Sequence, residues 1–195
     1  MDIERRSFEI SGIDIEYRGE TKAPVLRGHA AVFNSLSQDM GGFREQILPG
    51  AFTDSLKDDV RLLVNHDGLP LARTISNTLK LSEDGRGLVI EASLEPSDPD
   101  VQRLLPKLQR GDVSQMSFGF SVRPGGQDWA KDDEGRVIRS LKQVRLFDVS
   151  VVTFPAYTAT DVAVRELRAW QAVSMASSTA RPNLLRALAD LARTL

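Results

Sequence analysis

Through the first two-thirds of the chain, apolar residues recur at every second position, run after run. That period confines the fold to sheets with a buried face. The clearest case is TLKLSEDGRGLVIEASL, residues 78–94, which reads as two alternating strands joined around Asp84-Gly85. Near the start, SFEISGIDIEYRG alternates Phe8 and Ile10, then Ile13, Ile15 and Tyr17, and the change of phase at Gly12 suggests a bulge. PVLRGHAAVF reads as a second strand. VRLLVNHDG reads as a compact apolar strand ending at His66 and Asp67, with Leu62, Val64 and His66 on one face. GDVSQMSFGF puts Met116, Phe118 and Phe120 on one face of a strand and Gln115, Ser117 and Gly119 on the other. VIRSLKQVRLFDVSVVTFPAY holds at least one long strand that closes on Pro155, after a loop or hairpin tip at GGQDWAKDDEGRV.

Helical signals are fewer. AFTDSLKDD, after a Gly pair and a Pro-Gly turn, suits one short helix. SDPDVQRLLPKLQRGD has Ser97 or Asp98 as N-cap, Pro99 in the first turn, a stripe of Val101, Leu104, Leu105 and Leu108, and Gly111 as stop. Pro106 inside it predicts a kink or a restart. Past Thr160 the pattern is helical, with Ala163, Leu167 and Trp170 on one face. The polar, small-residue linker SMASSTARPN leads to Leu184, Leu188, Leu191 and Leu195, a narrow seam for a partner helix or for packing back on the domain. The expected fold is mainly β with helices (α+β): a mostly antiparallel sheet or barrel, helices outside, and a helical C-terminal tail. The expected division is a domain over 1–172, then linker and tail helix over 173–195.

Composition narrows the chemistry. With 195 residues and no cysteine, there is no disulfide framework, no Cys-ligated zinc and no thiol nucleophile. A formal charge of −2 without a Lys/Arg block gives no footprint for nucleic acid. No run approaches the roughly 18 apolar residues that span a bilayer, and the charged start MDIERRSFEI lacks a signal peptide's apolar core, so a soluble protein is expected. Only His29 and His66 can act as imidazole bases, and neither has a short metal-ligand spacing, so no metal or cofactor is expected.

A serine nucleophile needs a base, and the base needs an acid to orient it. Three strands each carry one such group in an apolar setting: His66, Ser117 and Asp148, the last sharing a face with Ser150, Val152 and Phe154. Taken singly, each has an ordinary explanation: a small strand residue, a solvated strand end, a carboxylate bonded at a sheet edge. A buried carboxylate must nevertheless be paired or hydrogen-bonded. The G-x-S-x-G elbow of esterases is absent around Ser117.

FREQILPGAF, LLVNHD, GDVSQMSFGF and LFDVSVVTFPAY, in that order, resemble the motifs of the HK97-type phage prohead (capsid maturation) serine proteases, relatives of the herpesvirus assemblins. The resemblance runs from about Arg27 to Ala159. It implies an assemblin-like antiparallel β-barrel ringed by helices, and a serine endopeptidase with Ser117 as nucleophile, His66 as general base and Asp148 orienting His66. Assemblins use a second histidine in that third role; His29, where the family commonly has an aromatic, is not assigned to it. Gly119 and the small face beside Ser117 would leave room for substrate backbone, and Arg145 is the cation offered for the oxyanion. The implied substrate is the major capsid protein or its scaffold segment, and the protease itself at the 174–180 linker. Self-association is implied, with action inside the assembling prohead in the host cytoplasm and no nucleic-acid or membrane partner. The competing reading is a non-enzymatic capsid assembly or scaffold module of the same fold.

Overall fold

Among the described residues, twelve strands hydrogen-bond into three sheets, and their order explains how distant residues meet. The structure, a computed structural model, describes residues 3–9, 13–19, 23–154 and 163–174. The chain divides into two units, Met1–Thr158 and Ala159–Leu195. In the first, the strands are β1 (Glu4–Glu9), β2 (Asp14–Arg18), β3 (Ala23–Val32), β4 (Arg44–Ile47), β5 (Arg61–Val64) and β6 (Asp67–Arg73). They continue with β7 (Leu79–Glu83), β8 (Gly87–Ser93), β9 (Gln115–Val122), β10 (Gln127–Lys131), β11 (Val137–Leu141) and β12 (Val144–Val152). The sheets run β1-β9-β12-β5-β6, β10-β11-β4 and β2-β3-β8-β7.

The mainly-β class is as expected. Most pairs are antiparallel, but β12–β5 and β11–β4 are parallel. No ladder among the described residues closes on itself, so the hydrogen bonding gives three open sheets, the sheet of the expected sheet or barrel, and the closed barrel that the resemblance implies is not seen. The three share one apolar core, to which Leu26 and Ile90 come from one sheet, Phe118 and Val149 from another, and Leu141 and Ile47 from the third. Phe118 packs edge-on against Phe52 at 5.3 Å and beside Phe120 at 5.0 Å, which anchors β9 as its alternation predicts.

The run 7–19 is not one bulged strand. Its halves belong to different sheets, β1 beside β9 and β2 beside β3. The short helix after the Pro-Gly turn is a single 3-10 turn, Thr53–Lys57. The helix α1 (Pro99–Arg110) is capped by Asp98, whose carboxylate accepts from the Asp100 N–H at 2.8 Å, and it ends at Gly111 with φ 78°. It runs through Pro106 without restarting. The hairpin at Asp84-Gly85 forms as read, and Gly87 is required there, because a Cβ would lie 1.9 Å from the Ala31 carbonyl oxygen. In the second unit, residues 163–174 form a helix with Ala163 and Leu167 buried. The leucine seam 184–195 and all but Ser174 of the linker lie outside the described residues.

Candidate active site

Ser117 lies mid-strand in β9, and the ladders fix its neighbours. Ser7 of β1 faces it on one side and Ser150 of β12 on the other, and all three are fully buried. One step along, Gly119 faces Asp148 across the same β9–β12 ladder. Strand alternation therefore aims Ser117, Ser150 and Asp148 to one side, while Met116, Phe118 and Val149 enter the core.

His66 arrives differently from the sequence prediction. Strand β5 stops at Val64 and β6 begins at Asp67, which pairs with it. Asn65 and His66 are thus the two central residues of a tight hairpin turn, not the end of a strand face. Their φ values of 53° and 61° are the positive pair that a type I′ turn requires. Asn adopts this conformation readily; for His66 it costs about 1 kcal/mol or more, so the surroundings must hold it. The Asn65 N–H donates to the Val151 carbonyl at 2.9 Å, and its side chain exchanges bonds with Thr153 at 2.9 and 3.2 Å. These ties fasten the turn to the end of β12.

The imidazole then reaches back over β12. Nδ1 lies 2.6 Å from Asp148 Oδ1, and Nε2 lies 2.7 Å from Ser117 Oγ. A carboxylate accepts only, so Nδ1 carries the proton and Nε2 is left as the acceptor. Ser117 Oγ also lies 2.8 Å from the Arg6 carbonyl oxygen. With one proton to give, the hydroxyl has two acceptors, of which Nε2 is the one useful for chemistry.

The space at Gly119 is not open. A Cβ there would sit 2.2 Å from Asp148 Oδ2, so the bare glycine houses the carboxylate rather than a substrate backbone. Arg145 is also not beside Ser117. It pairs with Ser121, four residues along β9, and its guanidinium stacks on the Phe147 ring at 5.3 Å. His29 lies in β3 and bonds Asp84 at 3.0 Å.

The sequence reading missed the bonds of Ser150, Asn65 and the Arg6 carbonyl. Ser150 shares a face with Asp148 by strand period, and Asn65 is half of an Asn-His turn, so both left a signal; a backbone carbonyl leaves none.

The sequence matches the caudovirus prohead serine protease family over residues 9–175. The chain belongs to that family. It is 33% identical over 161 residues to the prohead protease of Enterobacteria phage HK97, covering 77% of this chain and 64% of that one. The chain thus spans less than two-thirds of that relative's length. In fold it is similar to the capsid assembly protease of bacteriophage T4, with a TM-score of 0.53 at 12% identity, covering 78% of this chain and 98% of the other.

Two concavities lie beside the turn that carries this family member's His66; Ser117 and Asp148 line neither. One, of about 340 Å³, is bounded by Arg5, Ser7, His66 and an exposed Phe154. The other, of about 560 Å³, runs between the β5–β6 hairpin and α1, over Val64, Leu71, Leu104 and Val113, with Leu69 81% exposed on its wall. They share Asn65 and Thr153, so they meet at the turn that carries His66.

Proposed function

We propose that the chain is a serine endopeptidase of prohead maturation, with Ser117 as nucleophile, His66 as general base and Asp148 as the group that orients His66. The carrying observation is the unbroken line from Asp148 Oδ1 through the imidazole to Ser117 Oγ, with links of 2.6 and 2.7 Å. Ser117 Oγ bonds to the scissile carbonyl carbon as its proton passes to Nε2, and Asp148 stabilises the resulting imidazolium. The imidazolium protonates the leaving nitrogen as the C–N bond breaks. Water then attacks the acyl ester, gives its proton to Nε2, and the ester bond breaks as Ser117 Oγ takes the proton back.

The two concavities, which share Asn65 and Thr153 at their edges, support a polypeptide substrate over a small ester, since together they extend on both sides of the turn that carries His66. The names of the relatives, a prohead protease and a capsid assembly protease, support capsid protein as the substrate class. The scaffold segment as substrate, action inside the assembling prohead, self-association and self-cleavage in the 174–180 linker are proposed with it. The wrapping of three sheets about one core belongs to the same reading, as an assemblin-like barrel with open seams.

The test is a fluorophosphonate adduct mapped by mass spectrometry on concentrated folded protein, beside Ser117→Ala and His66→Ala, with intact masses followed over time. One adduct on Ser117, lost in both variants, and loss of the tail from wild type alone are the expected outcome. Folded protein that never reacts and keeps its full mass would instead identify a capsid assembly or scaffold module.

A further inference from the structure

We propose that Ser150 is a positioning residue of this site, selecting the oxygen of Asp148 that accepts the hydrogen bond from the imidazole N–H. The inference rests on the reading of Ser117 and His66 as nucleophile and base. Ser150 is fully buried, and its Oγ lies 2.7 Å from Asp148 Oδ1 and 3.2 Å from His66 Nδ1. A hydroxyl has one proton, and the carboxylate oxygen can only accept it, so Ser150 donates to Oδ1 and turns a lone pair toward Nδ1–H.

Oδ1 therefore holds two donors, Ser150 Oγ–H and His66 Nδ1–H, while Oδ2 lies over the bare Cα of Gly119. The carboxylate is fixed at both oxygens: one by hydrogen bonds, the other by the absence of a side chain. Ser150 is itself held by the ladder, because its register partner is Ser117. One strand pair thus sets the nucleophile and the residue that positions its acid at a fixed spacing.

Removing the hydroxyl takes from Asp148 the bond that stops it turning away from Nδ1.

The experiment compares wild type, Ser150→Ala, which only removes atoms, and Ser150→Thr, which restores a hydroxyl. The rate of the Ser117 adduct is measured, and the His66 Nδ1–H signal is followed by NMR, readily assigned in a chain with two histidines. Ala is expected to displace that signal and to slow acylation at pH 7 about tenfold, the order for losing a hydrogen bond to a charged group. Thr is expected to restore both. Ala matching wild type in signal and rate, while wild type forms the adduct, would overturn the role of Ser150. A displaced signal in protein that never forms an adduct would keep Ser150's role and remove the protease reading instead.

Discussion

Gly119 is the residue on which the acid depends most directly. Its missing side chain is the space that Asp148 Oδ2 occupies, and even one methyl would come within 2.2 Å. Gly119→Ala is expected to displace the carboxylate by about an ångström, and misplacement on that scale costs about a hundredfold in rate. A melt should show a folded protein weakened by about 1–3 kcal/mol, the cost of overpacking. Wild-type acylation in that variant would mean that Asp148 tolerates another position. The three polar groups of the cluster are legible in sequence because each stands out against an apolar strand. The role of Gly119 is not, because a glycine in a strand looks alike whether it admits a ligand or a neighbouring carboxylate.

At the scale of elements, β1 and β4 are held by charge rather than by grease. Arg6 bonds Glu4 at 2.7 Å and Glu45 at 2.6 Å, and Arg139 of β11 bonds Glu4 at 2.7 Å and Glu45 at 2.8 Å. All four are buried, and the two arginines also face Phe120 and Trp129. Losing one member leaves an uncompensated buried charge, so Glu45→Ala is expected to cost about 3–5 kcal/mol in a urea titration. A loss under 1 kcal/mol would mean that water replaces it. The same quartet explains why these strands escape the eye. In Arg44–Ile47 the buried positions are Glu45 and Ile47, so the two-residue period survives in burial but not in hydrophobicity, and in β1 the buried residues Glu4, Arg6 and Ser7 are all polar. Strand β6 is hidden for another reason: its first four residues are exposed and include Pro70, as befits a sheet edge. The hairpin of β7 and β8 and the helix α1 were plain because their period, caps and turn residues agree.

For the whole molecule, acid is the natural stress. Burial alone would raise the Glu4 carboxyl, but Arg139 and Arg6 outweigh it and hold it below its ordinary value of 4.5. Asp59 bonded to Arg73, Glu91 to Arg27 and Asp132 to Arg136 are shifted the same way at the surface. A depressed carboxyl contributes stability that is complete above its unfolded-state value and is lost as pH falls through the folded one. Denaturant midpoints should therefore change little through these groups between pH 7 and about 5, then fall steadily below about 4.5. A midpoint that holds at pH 3 would contradict this. The strand order β1-β9-β12-β5-β6 also carries a consequence in time. Ser117 meets a carbonyl 111 positions before it in the chain, and His66 meets an acid 82 positions after it. Synthesis runs from the N-terminus, so His66 and Ser117 are made before the strand that joins their neighbourhoods. Contacts this distant in sequence also form slowly. Until β12 has left the ribosome the cluster lacks Asp148 and the His66 turn has nothing to fasten it. A chain with this topology has no assembled site until that last strand of the sheet is made.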